Sequence, residues 1–313
     1  MCCLFGLIDT RRCFTGKQKS KMLHALATVS EVRGTDATGI AYHTGEQLCI
    51  YKRPIPGHKL KFYMRDDTRV GMGHTRMTTQ GKASKNRNNH PFRGIIRNKP
   101  FALAHNGVLY NDLDLRRKLG LPKTRIETDS YIGVQLIEQK GTLDFSSLRY
   151  MAEQVEGSFT FTVLDAEDSL YIVKGDNPFC LYYFPRCGLY LYASTEEILC
   201  HAIQRISVNL GSHFTVPVKS GEILKVSAKG EEQRQSFDDS KLYIHYYHSS
   251  MFGYGRRRAN FGCSMDAEQS NLDEIKSVAM AFGFTPEEID HLAAEGFSAD
   301  ELEEVLYGYG GEL

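Results

Sequence analysis

The run Met1-Cys2-Cys3-Leu4-Phe5-Gly6-Leu7-Ile8-Asp9 is the most informative stretch of this chain. Removal of Met1 would leave a thiol and a free α-amine on one residue, Cys2. An N-terminal amine titrates at about 7.7–8.0 and a free thiol at about 8.5, so this amine could take the thiol proton near neutral pH. The apolar residues that follow are also typical of an ordinary buried strand. Taken alone, the run favours that ordinary interpretation.

Further segments carry polar groups that a buried strand end or a turn would not need. In chain order they are Arg33-Gly34-Thr35-Asp36-Ala37-Thr38-Gly39-Ile40-Ala41, Gly73-His74-Thr75-Arg76-Met77-Thr78-Thr79-Gln80-Gly81, Asn89-His90-Pro91-Phe92, Leu103-Ala104-His105-Asn106-Gly107-Val108-Leu109-Tyr110-Asn111 and Thr128-Asp129-Ser130. With these motifs in this order, the chain resembles the class II glutamine amidotransferases, which are N-terminal-nucleophile hydrolases. The family includes the glutaminase halves of glucosamine-6-phosphate synthase and amidophosphoribosyltransferase. The resemblance runs from Cys2 to about Val226.

Composition predicts an ordinary globular protein, because 42% of the 313 residues are hydrophobic and 24% are charged. No apolar run approaches the roughly 18–20 residues that cross a bilayer, and the start does not read as a secretory signal. We therefore expect a cytoplasmic protein without a membrane partner. The eight cysteines are scattered and form no CxxC pair, which suits a reducing compartment. The sequence predicts neither a metal nor another cofactor.

Charge divides the chain into a basic body and an acidic end. Residues 266–313 hold 13 acidic side chains and one basic one, Lys276, although the formal net charge of the whole chain is zero. Residues 82–99 carry six cationic side chains and no acidic one, a patch that could meet phosphate or an acidic protein. Attraction between the two regions is one interpretation, and a solvated acidic helical module is another. In the absence of a nucleic-acid motif, we expect no nucleic-acid partner.

Apolar periodicity predicts strands and helices over residues 1–232. Strands are predicted at 39–43, 48–51, 101–104, 159–164, 169–173, 181–184 and 189–192, and helices at 17–32, 130–138, 145–155 and 196–205. This periodicity alone indicates a mixed α/β class. The resemblance implies an α+β fold, the four-layer αββα sandwich of N-terminal-nucleophile hydrolases.

The expected organisation is an amidotransferase domain at 2–232, a linker at 233–270 and a small acidic helical bundle at 271–308. Three short helices are predicted in the bundle, at 271–282, 286–294 and 299–307. Thr285 with Glu288, and Ser298 with Glu301, have the spacing of capping boxes. The module loosely resembles a ubiquitin-associated bundle and could bind a protein partner, so we expect it to regulate or recruit.

The resemblance assigns roles to the polar motifs. Cys2 would attack the glutamine carboxamide, and Asn106 and Gly107 would donate to the oxyanion. Arg76 would grip the α-carboxylate through its planar fork, Asp129 would receive the α-ammonium, and Thr79 would contact substrate. Supporting roles fall to Arg33, Asp36 and His105. Read without the family, Asn106-Gly107 is a hairpin turn, Arg76 and Asp129 form an ion pair, and Arg33 and Asp36 are structural.

Two features raise other interpretations. His43, His74, His90 and His105, with Asp36 or Asp129, could belong to a metal-dependent hydrolase, but no helical HxxxH spacing supports this. The chain also departs from the family pattern at Cys3, Met77 and Gln80. With two adjacent cysteines, either could correspond to the nucleophile of the family. The spacing to Phe5-Gly6 matches the start of the family pattern only if Cys2 is that nucleophile.

The predicted function is therefore glutaminase activity, in which L-glutamine becomes L-glutamate and ammonia through a Cys2 thioester. About 75–85 residues follow the catalytic body, too few for a second domain of enzyme size, so we expect a separate ammonia-acceptor enzyme. Two alternatives stay open. One is a catalytically silent amidotransferase fold that acts through its helical tail, and the other is an amidohydrolase that acts on another amide.

Overall fold

A computed structural model describes residues 2–45, 47–243 and 284–294, together with Lys276, Ala279 and Leu302. The chain forms two compact units, Met1–Tyr243 and Ile244–Leu313. The first unit contains two β-sheets and five α-helices within its described residues. Its strands are β1 Cys3–Asp9, β2 Ala37–Thr44, β3 Gln47–Arg53, β4 Val70–Arg76, β5 Phe92–Ile96, β6 Lys99–Leu109, β7 Gly157–Leu164, β8 Leu170–Lys174, β9 Cys180–Phe184, β10 Leu189–Ala193, β11 Phe214–Thr215, β12 Glu222–Val226 and β13 Glu232–Ser236. Its helices are α1 Gly16–Val29, α2 Asp112–Lys118, α3 Tyr131–Lys140, α4 Phe145–Gln154 and α5 Glu196–Gln204.

The two sheets are antiparallel. The first has the order β11-β9-β10-β1-β4-β2-β3, and the second has the order β13-β12-β8-β7-β6-β5. β1 therefore lies inside the first sheet, where Phe5 pairs with Ala193 of β10 and with Gly73 of β4. This arrangement fixes the residue before β1, Cys2, at the end of a central strand.

Three apolar cores hold four layers together. Alternate residues of β1 point to opposite faces of the sheet, so Phe5 and Leu7 pack with α1 and α5, whereas Leu4 and Ile8 pack against the second sheet. The other face of the second sheet is covered by α3 and α4. Burial on both faces explains why β1 is almost continuously apolar. The observed fold confirms the α+β class and the predicted layering of helices outside two sheets.

The short connection after α1 links the helical layer to the site. A 3₁₀ helix, Ser30–Arg33, follows α1 directly. The Ser30 hydroxyl lies 3.3 Å from the Cys3 sulfur, and the Ser30 carbonyl accepts a 3.1 Å hydrogen bond from Thr75. The end of α1 is thus tied to the first residues of β1 and the last residues of β4.

The first unit extends further along the chain than the predicted domain. Residues 233–243 lie in a stretch that the sequence assigned to a linker, yet they hold most of β13 and a 3₁₀ helix, Ser240–Tyr243. β13 is exposed along its length and therefore lacks apolar alternation. It is held by its ladder with β12 and by ion pairs of Arg234 with Glu222 and Glu232.

In the second unit, the structure describes one continuous helix, α6 Pro286–Ala294, at the bounds predicted for the middle helix. Thr285 and Glu288 form a capping box, because the Glu288 amide donates to the Thr285 hydroxyl at 3.3 Å and the Thr285 amide donates to the Glu288 carboxylate at 2.7 Å. The helices predicted at 271–282 and 299–307 lie outside the described residues, apart from Lys276, Ala279 and Leu302. Among the described helices, none is long and apolar enough to span a membrane.

Candidate active site

Cys2 is partly buried at the head of β1, and its sulfur lies 3.4 Å from the Met77 carbonyl oxygen. Burial raises the pKa of the Cys2 thiol, and the Asp129 carboxylate acts in the same direction, whereas Met77 and Arg76 oppose it. In the β1–β4 ladder Cys3 pairs with Thr75, so Arg76, the next residue of β4, ends its strand beside Cys2. Because only the thiolate is a strong nucleophile, this thiol needs a base at neutral pH.

Cys3 has a different environment from its neighbour. It is fully buried in the apolar core beside α1, and its sulfur contacts the Ser30 hydroxyl. A thiol packed in this way is closed to a substrate. The structure thus gives a physical reason for choosing Cys2 over Cys3.

Two of the supporting candidates contact the backbone around Cys2 and Arg76. Arg33 Nε donates a 3.1 Å hydrogen bond to the Cys2 carbonyl oxygen. Asp36 accepts a 2.8 Å hydrogen bond from the Thr78 amide, and its own amide donates to the Arg76 carbonyl at 3.0 Å. These contacts fix the start of β1 and the segment that follows β4.

Arg76 ends β4 and is buried. Its Nη1 donates to the Asn89 side-chain oxygen at 2.7 Å, and its Nη2 contacts the carbonyl oxygens of Gln80 and, at 3.0 Å, of Gly81. A guanidinium has five N–H groups, so with these three contacts two remain within the described part of the chain. Burial lowers the pKa of Arg76, while Cys2, Asp36 and Asp129 act against that shift. Arg76 and Asp129 form no direct ion pair among the described residues, which argues against the structural-pair interpretation.

Asp129 is a buried carboxylate within a short polar chain. It accepts hydrogen bonds from the Leu109 amide at 2.7 Å and from the Ser130 hydroxyl at 3.2 Å. The Ser130 hydroxyl also lies 2.8 Å from His105 Nδ1. His105 therefore supports Asp129 through Ser130. Burial raises the pKa of Asp129, and the Leu109 and Ser130 hydrogen bonds oppose this shift.

Asn106 and Gly107 lie near the end of β6 in the second sheet, directly after His105, whose carbonyl oxygen lies 2.9 Å from Nε2 of His74 on β4 of the first sheet. Asn106 is buried, and its Nδ2 has no hydrogen-bond partner among the described residues. A buried donor left unpaired costs about 1–3 kcal/mol, so this amide is a candidate to bind a ligand oxygen. Gly107 has a φ of +136°, and a Cβ there would lie 2.0 Å from the Ser158 carbonyl oxygen. Only glycine fits this backbone.

One contact at this pair could not be predicted from the sequence. Asn177, in the turn between β8 and β9, donates from Nδ2 to the Asn106 carbonyl oxygen at 2.8 Å. The two residues are 71 positions apart and their proximity follows only from the assembled sheets. The predicted substrate contact Thr79 is exposed, whereas the hydroxyl of its neighbour Thr78 is buried without a partner in the described chain.

Three buried histidines lie behind the site. The rings of His74 and His90 are 4.1 Å apart between centroids, and those of His90 and His105 are 6.5 Å apart. Burial lowers the pKa of His74 and of His105 to about 3, and that of His90 well below its usual value. His43 lies elsewhere, 2.7 Å from Asp168. Within the described ranges, no three His, Cys, Asp or Glu side chains are arranged to hold a metal ion.

The cationic segment 82–99 is partly neutralised. Lys85 and Arg87 both pair with Glu127, and Lys99 pairs with Glu167 at 3.1 Å. Arg93 donates to the Leu48 carbonyl at 3.2 Å. The acids that neutralise the patch lie 40 or more residues away in sequence. The sequence of 82–99 alone therefore suggests a larger positive charge than this surface carries in the folded protein.

Comparison with known proteins matches a central segment of the chain, which contains Arg76, Asn106 and Asp129 but not Cys2. Residues 74–201 match the family model of the glutamine amidotransferase domain. Glutamine–fructose-6-phosphate aminotransferase (isomerizing) of Bacillus cereus is 34% identical over 175 residues, which cover 53% of this chain and 28% of that protein. The same enzyme of Staphylococcus aureus is 32% identical over 234 residues, 69% of this chain and 38% of that protein. The match thus spans well under half of these relatives.

Two solved structures share the fold. The glutamine phosphoribosylpyrophosphate amidotransferase of B. subtilis superposes with a TM-score of 0.59 at 19% identity, over 75% of this chain and 49% of that chain. A structure described as the allosteric regulatory enzyme of purine biosynthesis gives a TM-score of 0.60 at 18% identity over the same shares. At this identity the likeness concerns the fold alone.

Proposed function

This chain carries a class II glutamine amidotransferase domain, and on that premise we propose that it hydrolyses L-glutamine to L-glutamate and ammonia. The observation that carries the proposal is the β1–β4 ladder, in which Cys3 pairs with Thr75, so that Arg76 ends its strand beside Cys2. The charges of Arg76 and Asp129 act on its thiol. From the second sheet, the buried Nδ2 of Asn106 offers a donor without a partner among the described residues.

The proposed reaction begins at the Cys2 sulfur. Once Met1 is removed, the α-amine of Cys2 takes the thiol proton and sulfur attacks the carboxamide carbon. The carbonyl π bond opens, and the oxyanion is received by Asn106 Nδ2 and the Gly107 N–H. The intermediate collapses to a thioester, the C–N bond breaks, and ammonia leaves with the proton that the amine held. Water then hydrolyses the thioester to glutamate.

Selection of free glutamine would depend on the two buried charges. Asp129 receives the α-ammonium, and Arg76 binds the α-carboxylate. Both two-donor edges of a guanidinium include Nη2, which contacts the Gln80 and Gly81 carbonyl oxygens. To bind the substrate carboxylate through two N–H groups, Arg76 must therefore break its hydrogen bond to one of these carbonyl oxygens and donate to a carboxylate oxygen instead. His105, through Ser130, and Arg33, through the Cys2 carbonyl, position these groups.

The ammonia would pass to a separate acceptor. The matched relatives are named for amino transfer to fructose 6-phosphate, but the chain covers only 28–38% of their length. The acceptor is thus part of the proposal and its identity is open. We also propose that the protein is cytoplasmic and that the acidic helical module predicted at 271–308 recruits or regulates.

The test is a glutaminase assay on purified protein with ammonia and glutamate both quantified. Equal release of the two products, abolished in Cys2→Ala, supports the proposal. A folded wild-type protein that releases neither product contradicts it and favours a catalytically silent binding protein. Turnover of other amides without turnover of glutamine would instead indicate a different amidohydrolase.

A further inference from the structure

Asn177 is a buried side chain that binds the peptide unit between the two proposed oxyanion donors. Its Nδ2 donates to the Asn106 carbonyl oxygen at 2.8 Å, and the residue is 3% exposed. The same nitrogen lies 2.5 Å from the position that a Cβ on Gly107 would occupy. Asn177 thus packs against Gly107 while it binds Asn106.

The peptide bond makes this contact relevant to the oxyanion. A peptide unit is planar and trans, so its C=O and N–H point in opposite directions. The carbonyl that Asn177 binds belongs to the same plane as the Gly107 N–H. Holding that carbonyl therefore sets the direction of the N–H, at a glycine whose φ of +136° departs from regular strand geometry. A hydrogen bond to the carbonyl also polarises the unit and strengthens its N–H as a donor.

Asn177 is itself held in place. Its main-chain oxygen accepts a 2.8 Å hydrogen bond from the buried Thr160 hydroxyl on β7. The neighbouring Asp176 accepts a 2.9 Å hydrogen bond from the Phe159 amide. β7 pairs directly with β6, where Asn106 is opposite Thr160. β7 thus pairs with the strand that carries the peptide unit and also binds the turn that carries Asn177.

We propose that Asn177 is a positioning residue that orients the Gly107 N–H toward the oxyanion. This inference rests on the proposed glutaminase function. It assigns Asn177 no contact with glutamine in the ground state. Loss of the clamp should therefore lower kcat and leave glutamine binding almost unchanged.

Asn177→Asp is the sharpest variant, because it keeps the size of the side chain and removes the N–H donors. Asn111→Asp is its matched control. Asn111 also binds main chain on both sides, with Nδ2 donating to the Gln154 carbonyl at 2.9 Å and Oδ1 accepting from the Glu156 amide at 3.0 Å. It lies just past β6 and does not contact the 106–107 peptide. Asn177→Ser, which adds no charge, serves if the aspartate variant does not fold.

The measurements separate orientation of the donor from loss of structure. Removing one oxyanion donor outright costs about 100–1,000-fold in kcat, so a misdirected donor should cost roughly 10–100-fold. We expect this loss in Asn177→Asp, with KM for glutamine and Kd for glutamate within about threefold of wild type. Asn111→Asp should keep kcat within about twofold, whatever its melting temperature.

An aldehyde analogue of glutamine provides a second readout. The Cys2 S–H adds across its C=O, so that an S–C bond forms, the π bond opens and oxygen takes the proton. The resulting oxygen occupies the oxyanion position, so affinity should fall by about the same factor as kcat. An unchanged kcat in Asn177→Asp, or a lower kcat with unchanged aldehyde affinity, would overturn the inference. An inactive wild type would instead contradict the proposed function.

Discussion

Arg33 Nε donates a 3.1 Å hydrogen bond to the main-chain oxygen of Cys2. A hydrogen bond from a charged donor is worth about 1.5–3 kcal/mol, so Arg33→Gln should lower kcat at least tenfold by loosening the nucleophile. KM should change less than about threefold, because Arg33 holds no part of glutamine.

Arg69→Gln is the control for this prediction. Arg69 Nη1 likewise donates to main-chain oxygens, those of Thr10 at 2.6 Å and Ala228 at 3.1 Å, beside the far end of β1. Its substitution should reduce stability and leave kcat unaltered. Equal effects of the two variants on kcat would show that Arg33 acts only on the fold.

Asp129→Asn tests the proposed ammonium site. The substitution keeps an oxygen for the Leu109 amide and removes the charge, so KM for glutamine should rise strongly while kcat falls less. Asp165→Asn is the matched control, because Asp165 is also buried and accepts main-chain hydrogen bonds, from the Glu167 and Ser169 amides at 2.8 Å each. Arg76→Ala should likewise raise KM, and Asn106→Ala should chiefly lower kcat. The assignment fails if γ-carboxamides without the α-amine and α-carboxylate are hydrolysed as well as glutamine.

Gly107→Ala should abolish turnover. The added Cβ would lie 2.0 Å from the Ser158 carbonyl oxygen, so the strand end must shift and both proposed oxyanion donors with it. Gly120 offers a comparison, since it also has a positive φ, +60°, but nothing lies within 4 Å of its Cβ position. Gly120→Ala should cost only about 1 kcal/mol of stability and preserve kcat. Wild-type kcat in folded Gly107→Ala would remove this residue from the mechanism.

The buried histidines predict acid sensitivity of the fold. Burial lowers the pKa of His74 and His105 to about 3, and that of His90 also falls far below its usual value. An unfolded histidine titrates near 6.5, so between about pH 6.5 and 3 the unfolded chain binds more protons than the folded one. Stability is therefore fully present above pH 6.5 and is lost as pH falls, by about 1.4 kcal/mol per pH unit for each histidine.

His90→Phe removes one of these three titrating histidines and so tests its contribution to the pH dependence. Denaturant titrations at several pH values should give a slope smaller by about 1.4 kcal/mol per pH unit than that of wild type. If His90→Phe has the wild-type slope between pH 6 and 4, His90 is not held neutral in the folded protein.

Local sequence patterns were sufficient to locate many of the strands and helices of the first unit. Alternating or continuous apolar runs located β7 through β10, and three- and four-residue spacing located α1, α3, α4 and α5. The predicted strands did not include β4, β5, β11 or β12. β13 was also missed, because its side chains are all exposed and only its pairing with β12 identifies it as a strand. Much of the helical module predicted at 271–308 lies outside the described residues.

The site was predictable where one short motif contains the chemistry, as in Arg76 or Asn106-Gly107. It was not predictable where the contact joins distant segments. Asn177 reaches Asn106 only because β8 lies beside β7 and β7 beside β6. The engagement of Arg76 by the Gln80 and Gly81 carbonyls likewise depends on how the chain turns after β4.

The central claim is that Cys2, with a free α-amine, attacks glutamine. The most direct measurement is intact-mass analysis and peptide mapping of active protein treated with a diazoketone analogue of glutamine. We predict a mature chain that lacks Met1, one equivalent of label on Cys2, protection by glutamine, and activity lost in proportion to labelling. Label on Cys3, which is fully buried, or full activity in protein that retains Met1, would contradict the account.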